Sequence, residues 1–525
     1  MNGSPRFRLD LWQTALAAGL MASVLALLAT SHGVNFYYDE GYFVGYAYGL
    51  RSGLGQSIPV SAYNALDLRT PNTMWPPLYP LLIAMLPFAN PLDSLRFSAV
   101  IGLGVSVSLT TALSFRLSGR LLSSALAGLA LLAIPSVLTD SFGRGSSEVL
   151  FLPLSLGAIL AVSHYRVGAA APLWPALVAA LLLALAAATR TLVVAITLPL
   201  AAYLCWWGLR APAGTRLWRR MAPIVLLLTC LVPLFLWMRS LQTVTGRATG
   251  IFELSPALKF SDIARSLREL TLQVTAPFDT AFGAIGLYSN WWGLIALVSF
   301  SAVILWTGWQ RRRTVRAALT SMDALCALVA GGYLLIFWAM STVITVALAQ
   351  EPRYLLPIFP PLLALLAHLI GVIRPPRLWN ALLVLLLAAG TLTTVASNSA
   401  GLWWNSPERR NDPILSNLTS LIPNDALIIG AEPLELAALL PNRPVRIFGG
   451  VDYLGYTCSD LVYPAPYSEV AFVLIRQGTD GNFTKPRTDS EIDLFFQDWF
   501  ADCGQVTDIR HSPGAVLVLA SLAPR

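Results

Sequence analysis

Residues 11–30 read LWQTALAAGLMASVLALLAT, and the chain leaves this run through Phe36-Tyr37-Tyr38-Asp39-Glu40-Gly41. An apolar helix of roughly 20 residues crosses the hydrocarbon core of a bilayer, so the run predicts a transmembrane helix with a carboxylate pair just outside it. Arg6 and Arg8 precede the run, as they would in a secretory leader. A leader's apolar core is only roughly 7 to 15 residues long, however, and many further runs follow here, so the segment is retained as the first span.

Working outward, 56% of the 525 residues are hydrophobic and 12% are charged. A soluble domain carries about 25% charged residues, so this is an integral membrane protein. Only helices and closed barrels satisfy their backbone polar groups in hydrocarbon, and these runs far exceed the roughly 10 residues of a barrel strand. Further candidate helices cover 94–116, 120–139, 147–165, 172–188, 191–208, 221–240, 286–308, 322–347, 354–372 and 380–397, about 11 spans with the first. The apolar piece from 77 to 88 is shorter and holds Pro80 and Pro87, which predicts an interfacial helix.

With this parity the amino terminus shares one side with Arg116 and Arg120, Arg166, Arg210 to Arg220, Arg311 to Arg316, and Arg374 and Arg377. The positive-inside rule makes that side cytoplasmic; counting 77–90 as a full span would put the later clusters outside. Asp39, Glu40 and Glu148 then fall on the external side. The formal charge of +7 is spread over loops between spans, which argues against nucleic-acid binding. Apolar residues from Phe260 to Val274 recur at helical spacing, predicting a second interfacial helix that either covers a lipid entrance or simply packs.

From Trp403 the composition changes. Strands are predicted at 425–430, 444–448, 471–476 and 515–520, with helices near 433–440 and 491–501. The chain therefore divides into a membrane domain, 1–400, and a small extracytoplasmic α/β domain, 401–525. Cys458 and Cys503 can bridge in an oxidising compartment, although spacing does not fix the pairing; Cys205, Cys230 and Cys326 read as small apolar residues in or near spans.

Carboxylates beside a membrane are costly unless they line a polar cavity. Asp39 and Glu40 therefore predict either a wet catalytic pocket, with Asp39 as general base and Glu40 orienting an acceptor or holding a cation, or an acidic helix boundary facing water. Glu148 either joins that pair, with Glu40 and Glu148 holding a divalent metal ion, or pairs with Arg144. Arg353, in Glu351-Pro352-Arg353-Tyr354, is suited to binding phosphate oxygens bidentately, or else to an interfacial salt bridge beside an aromatic anchor. Lys259, Arg265 and Arg268 are secondary phosphate contacts, Arg190 frames the cavity, and Trp75 and Tyr79 either stack on a sugar or anchor the interfacial segment.

In order, Tyr38-Asp39-Glu40-Gly41, Trp75-Pro76-Pro77-Leu78-Tyr79, Ser147-Glu148 and Arg353-Tyr354-Leu355-Leu356-Pro357 resemble the GT-C glycosyltransferase superfamily. Within it the chain looks similar to the bacterial protein O-mannosyltransferase and lipid A aminoarabinose transferase families, over residues 1–400. The resemblance implies a multispan α-helical GT-C membrane enzyme of a bacterial inner or plasma membrane. Its donor would be a polyprenyl-phosphate sugar, its acceptor an extracytoplasmic glycan, lipid or protein, and transfer would invert the anomeric carbon. Asp39 matches the first-loop catalytic acid position, Glu148 the second acidic position, where relatives carry aspartate, and Arg353 a donor-phosphate contact. A polytopic transporter and a nonenzymatic envelope-assembly protein are the alternative readings of so many helices.

Overall fold

The structure is a computed structural model that describes residues 5–31, 38–58, 60–61, 70–71, 75–165, 172–210, 216–245, 260–284, 290–343, 352–399, 412–430, 436, 440, 445–447, 468–475, 488–501 and 503–523. Its helices are α1 (Pro5–Ala29), α2 (Tyr38–Arg51), α3 (Leu78–Met85), α4 (Pro91–Ser118), α5 (Leu121–Ala130), α6 (Glu148–Val162), α7 (Trp174–Ala187) and α8 (Val194–Leu209). They continue as α9 (Leu217–Leu228), α10 (Val232–Thr245), α11 (Phe260–Ala284), α12 (Asn290–Gln310), α13 (Arg312–Ala318), α14 (Ser321–Val343), α15 (Phe359–Ile373) and α16 (Arg377–Ser399). Two compact units emerge: one holds 1–31, 73–79 and 96–399, the other 32–72, 80–95 and 400–525.

The protein is a polytopic α-helical membrane protein. Among the described residues eight helical stretches are long and apolar enough to cross a bilayer, and Leu121–Ala133, Glu148–Val162 and Trp174–Ala187 are shorter apolar helices. The continuous helix expected over 120–139 is broken: it tightens into a 3-10 turn at Leu131–Ala133 and reopens as a π-helix, Ser136–Phe142. Pro135 between them lacks the N–H that a continuous α-helix would use. At Ser136 the backbone N–H instead donates to Gln273 Oε1 of α11 at 2.9 Å. The eight residues of α3 rise only about 12 Å, well short of the hydrocarbon thickness.

Small residues let α1 and α4 approach backbone to backbone. A side chain at Gly104 would collide with Ser23 Oγ, and one at Gly19 with Ser108 Oγ. Those hydroxyls donate instead to the opposing helix, Ser23 to Val100 O at 3.1 Å and Ser108 to Ala15 O at 2.9 Å. Such contacts hold helices together where lipid removes the hydrophobic drive.

In the second unit a six-stranded sheet has the order β2 (Val60–Ser61), β5 (Val445–Ile447), β4 (Leu427–Gly430), β6 (Glu469–Ile475), β8 (Ala515–Leu522), β7 (Gly504–His511); the first four are parallel and the last two antiparallel. A separate hairpin pairs β1 (Ser57–Ile58) with β3 (Thr70–Pro71). The edge strand β2 thus comes from the first loop. Both sheet faces are covered, because the period of two sends Val470, Phe472 and Leu474 toward helix Asp489–Phe500 and sends Ala471 and Val473 toward Ile414, Leu418 and Leu436. Thr488 caps that helix reciprocally with Glu491. Arg51, ending α2, donates to the carbonyls of Ile83, Ala84, Leu86, Phe88 and Ala89, which tethers the end of α3.

Phe496 is fully buried, 4.7 Å ring to ring from Phe472. Phe496→Ala should destabilise this unit by roughly 3–5 kcal/mol. Limited proteolysis of the full chain in detergent should then cut in the sheet at much lower protease concentration, while the α1–α4 pair stays protected.

Candidate functional site

Within the first unit a buried cluster forms where α6 and α8 begin. The chain turns an extended corner at Arg190 before the 3-10 turn Thr191–Val193 that leads into α8. Arg190 Nη2 lies 2.5 Å from Glu148 Oε1, the first residue of α6, and both side chains are 3% exposed. Ser146 Oγ donates to Glu148 Oε2 at 2.7 Å, and Arg190 Nε donates to Ser147 Oγ at 2.6 Å. The guanidinium carbon stands 5.1 Å from the Trp75 ring centre and 5.0 Å from that of Tyr354, a cation–π distance to both.

Arg353 enters on the 3-10 segment Pro352–Ile358 that leads into α15, and it too is buried, with its guanidinium 5.3 Å from the Tyr354 ring. It is close enough to Glu148 that the two charges interact. Two buried guanidinium groups thus lie near one buried carboxylate, with Arg190 paired to it directly. The starts of α6 and of the turn into α8 add the positive ends of their dipoles. Chemically, buried guanidinium groups beside helix starts suit an anion such as a phosphate.

Neighbouring elements hold these groups in place. Tyr333 of α14 donates from its hydroxyl to Tyr354 O at 2.7 Å. Leu78 N donates to Ala188 O at 2.9 Å, and Tyr79 donates to Gly145 O at 2.6 Å, which ties the Trp75–Tyr79 segment to the corners before α6 and α8. Gly145 has φ +74°, a left-handed conformation that favours glycine. The π-helix at Ser136–Phe142 precedes this corner.

Of the residues singled out by sequence, Trp75, Glu148, Arg190, Arg353 and Tyr354 come together here. Tyr79 is a buried structural tie rather than an exposed stacking surface. The ion pair of Glu148 is with Arg190, and Arg144 sits half-buried on the intervening loop. Glu148 is paired with Arg190, and among the described residues no group of three His, Cys, Asp or Glu could hold an ion; the side chain of Glu40, its expected metal partner, lies outside the described residues. Arg265 and Arg268 are exposed on α11, away from its buried Ser266 and Gln273. Lys259 and Glu351 lie outside the described residues, as do the side chains of Asp39 and Glu40, whose backbone forms the first turn of α2. Sequence reasoning missed Tyr333, Ser146 and Gln273. A tyrosine inside an apolar span and two serines before an acidic helix start were the available signals.

The opposite helix ends gather arginines. Arg116, near the end of α4, donates to Ser163 O at 3.0 Å and meets His164 Nε2 just past the end of α6. The α8 hydroxyl of Tyr203 meets Ser321 at the start of α14. His368, late in α15, lies 3.8 Å from Asp323, early in α14.

No protein-family model matches the chain, and no curated protein sequence matches it. Solved structures do. One is ArnT from Cupriavidus metallidurans bound to undecaprenyl phosphate, at TM-score 0.57 and 15% identity, covering 98% of this chain and 99% of that one. Another is the same protein in the apo state, at TM-score 0.60 and 12% identity, with 98% and 99% covered. At these identities the likeness is one of architecture: the chain shares the fold of that protein.

Proposed function

We propose that this protein is a glycosyltransferase that takes a sugar from a polyprenyl-phosphate carrier and transfers it, with inversion, to an extracytoplasmic glycan, lipid or protein. The observation that carries the reading is the burial of two arginines, Arg190 and Arg353, beside Glu148 at the common starts of α6, α8 and the segment before α15. They make a phosphate seat in a membrane protein whose fold is shared with ArnT, a protein crystallised with undecaprenyl phosphate.

Arg353 takes the donor phosphate, and Arg190, held by Glu148 and Ser147, presents a second positive charge. Phosphate leaves with its electron pair while these charges stabilise the developing anion. Asp39 accepts the proton of the attacking acceptor hydroxyl, and Glu40 orients that acceptor. Trp75 and Tyr354 offer ring faces beside the cations. Glu148 serves by fixing the guanidinium groups, and no step is routed through a metal ion.

The active face is external in this reading. The arginine-rich helix ends lie at the other extreme of α6, α8 and α15, as the positive-inside rule requires of a cytoplasmic side. The disulfide-bonded Cys503 suits an oxidising compartment for the sheet domain; Cys458 lies outside the described residues. Eleven crossings follow if the shorter helices α6 and α7 and the α5 stretch also traverse the membrane.

Incubating purified protein in liposomes with a panel of polyprenyl-phosphate sugars should yield a glycosylated product, identified by mass spectrometry, together with free polyprenyl phosphate. Movement of intact donor between leaflets without transfer would instead favour a transporter. Asp39→Asn should cut turnover by about 10²–10⁴-fold with donor binding retained. Wild-type turnover by the folded variant would remove Asp39 from the role of base.

A further inference from the structure

At the helix ends remote from the Glu148 cluster, α8 finishes with Trp206-Trp207-Gly208-Leu209-Arg210 and α9 starts with Arg216-Leu217-Trp218-Arg219-Arg220. These two ends touch: a Cβ on Gly208 would come within 3.3 Å of Arg220 O, so glycine is what permits the approach. Tyr165, beyond α6, donates to Arg219 O at 3.5 Å from the side. Arg210, Arg216, Arg219 and Arg220 are thereby collected at one hairpin end.

The local sequence is free of acids. Between Glu148 and Glu253 there is no Asp or Glu at all. The acid that α14 brings to this end, Asp323, is buried and accepts from Thr320 N and Thr320 Oγ1 at 2.6 and 2.8 Å.

The tryptophans say where the charge sits. Trp206 and Trp218 are 53% and 52% exposed. Arg210 lies 3.9 Å over the Trp206 ring, and Arg219 lies 5.1 Å over the Trp218 ring. A third pair ends α12, with Arg312 at 5.0 Å over Trp309, itself 67% exposed. An exposed tryptophan at the end of a membrane helix belongs at headgroup level, with its ring against acyl chains and glycerol. Stacking on it holds the guanidinium at the same depth. One face of the cation is then covered while its edge N–H groups remain directed to where phosphodiester oxygens lie.

We propose that the α8–α9 hairpin end is a binding site for an anionic glycerophospholipid, whose phosphodiester is taken by Arg210 and Arg219 and whose acyl chains lie along Trp206 and Trp218. The site is independent of the transfer chemistry and sits at the other end of the helices that carry it. Trp309 and Arg312 make a second, single-arginine contact of the same kind.

The test is lipid retention by the full-length protein, released from nanodiscs of mixed phosphatidylglycerol and phosphatidylcholine and read by native mass spectrometry. Wild type should keep phosphatidylglycerol in clear excess over its share of the nanodisc, and the excess should shrink as salt rises. Each arginine removed, in Arg210→Gln and Arg219→Gln, should lower retention roughly fivefold. Arg510→Gln, a loss of charge on strand β7, should change nothing. Should the double glutamine variant fail to fold, Trp206→Leu with Trp218→Leu leaves the charges and removes their stacking partners, and retention should again fall. Equal retention of the two lipids by wild type would overturn the proposal, and so would an Arg510→Gln loss as large as that of Arg210→Gln. The arginines would then be orientation signals alone.

Discussion

Arg353→Ala should lower turnover of a polyprenyl-phosphate sugar by roughly 10²–10³-fold, the loss expected when one donor to a developing anion is removed. The side chain is buried on the 3-10 segment Pro352–Ile358, and its position is set by Tyr354 beneath it and by Tyr333, which holds the Tyr354 carbonyl. Arg353→Lys keeps the charge and loses the two-pronged geometry, so it should recover only part of the rate. The measurement is single-turnover transfer in liposomes alongside equilibrium binding of the donor and of free polyprenyl phosphate. Both affinities should weaken in the alanine variant. A folded variant with unchanged turnover and binding would mean that Arg353 is an interfacial structural cation, and the phosphate seat would have to be sought elsewhere.

Glu148→Gln should be costly in a different way. It removes the carboxylate shared by two buried guanidinium groups, and breaking a buried pair from one side costs roughly 3–5 kcal/mol because the remaining charge is uncompensated. Thermal unfolding in detergent should drop by many degrees, and Arg190 should lose its fixed place between Glu148 and Ser147. Combining Glu148→Gln with Arg190→Gln should restore much of the stability and none of the activity. That pattern separates positioning from acid–base chemistry: if Glu148→Gln melted like wild type and its rate alone collapsed, Glu148 would be acting in the reaction itself.

The apolar runs made the membrane class and most helix positions legible, because crossing hydrocarbon leaves little freedom in length or composition. Irregularities were less so. Pro135 announced a break in 120–139, but not that the chain would resume as a π-helix, since that depends on Gln273 reaching in from a distant helix. Four of the strands were readable from β-branched runs such as that in β6. β7 was not, for its Gln505, Thr507, Asp508 and Arg510 look like loop until β8 is beside them. At the candidate site the sequence singled out Glu148, Arg190 and Arg353 without linking Glu148 to Arg190. A local reading pairs Glu148 with Arg144, four residues away. The actual partner comes from the far end of α7, and only packing could bring it there.

The placement of β2 carries a consequence for how this protein is made. Val60 pairs with Val445, so the first loop cannot join its sheet until the ribosome has made more than four-fifths of the chain. β2 must therefore wait without its sheet through the insertion of every intervening helix, while the local β1–β3 pairing needs nothing made later. A carboxy-terminal deletion that removed β5 would reach back to the loop that follows α2.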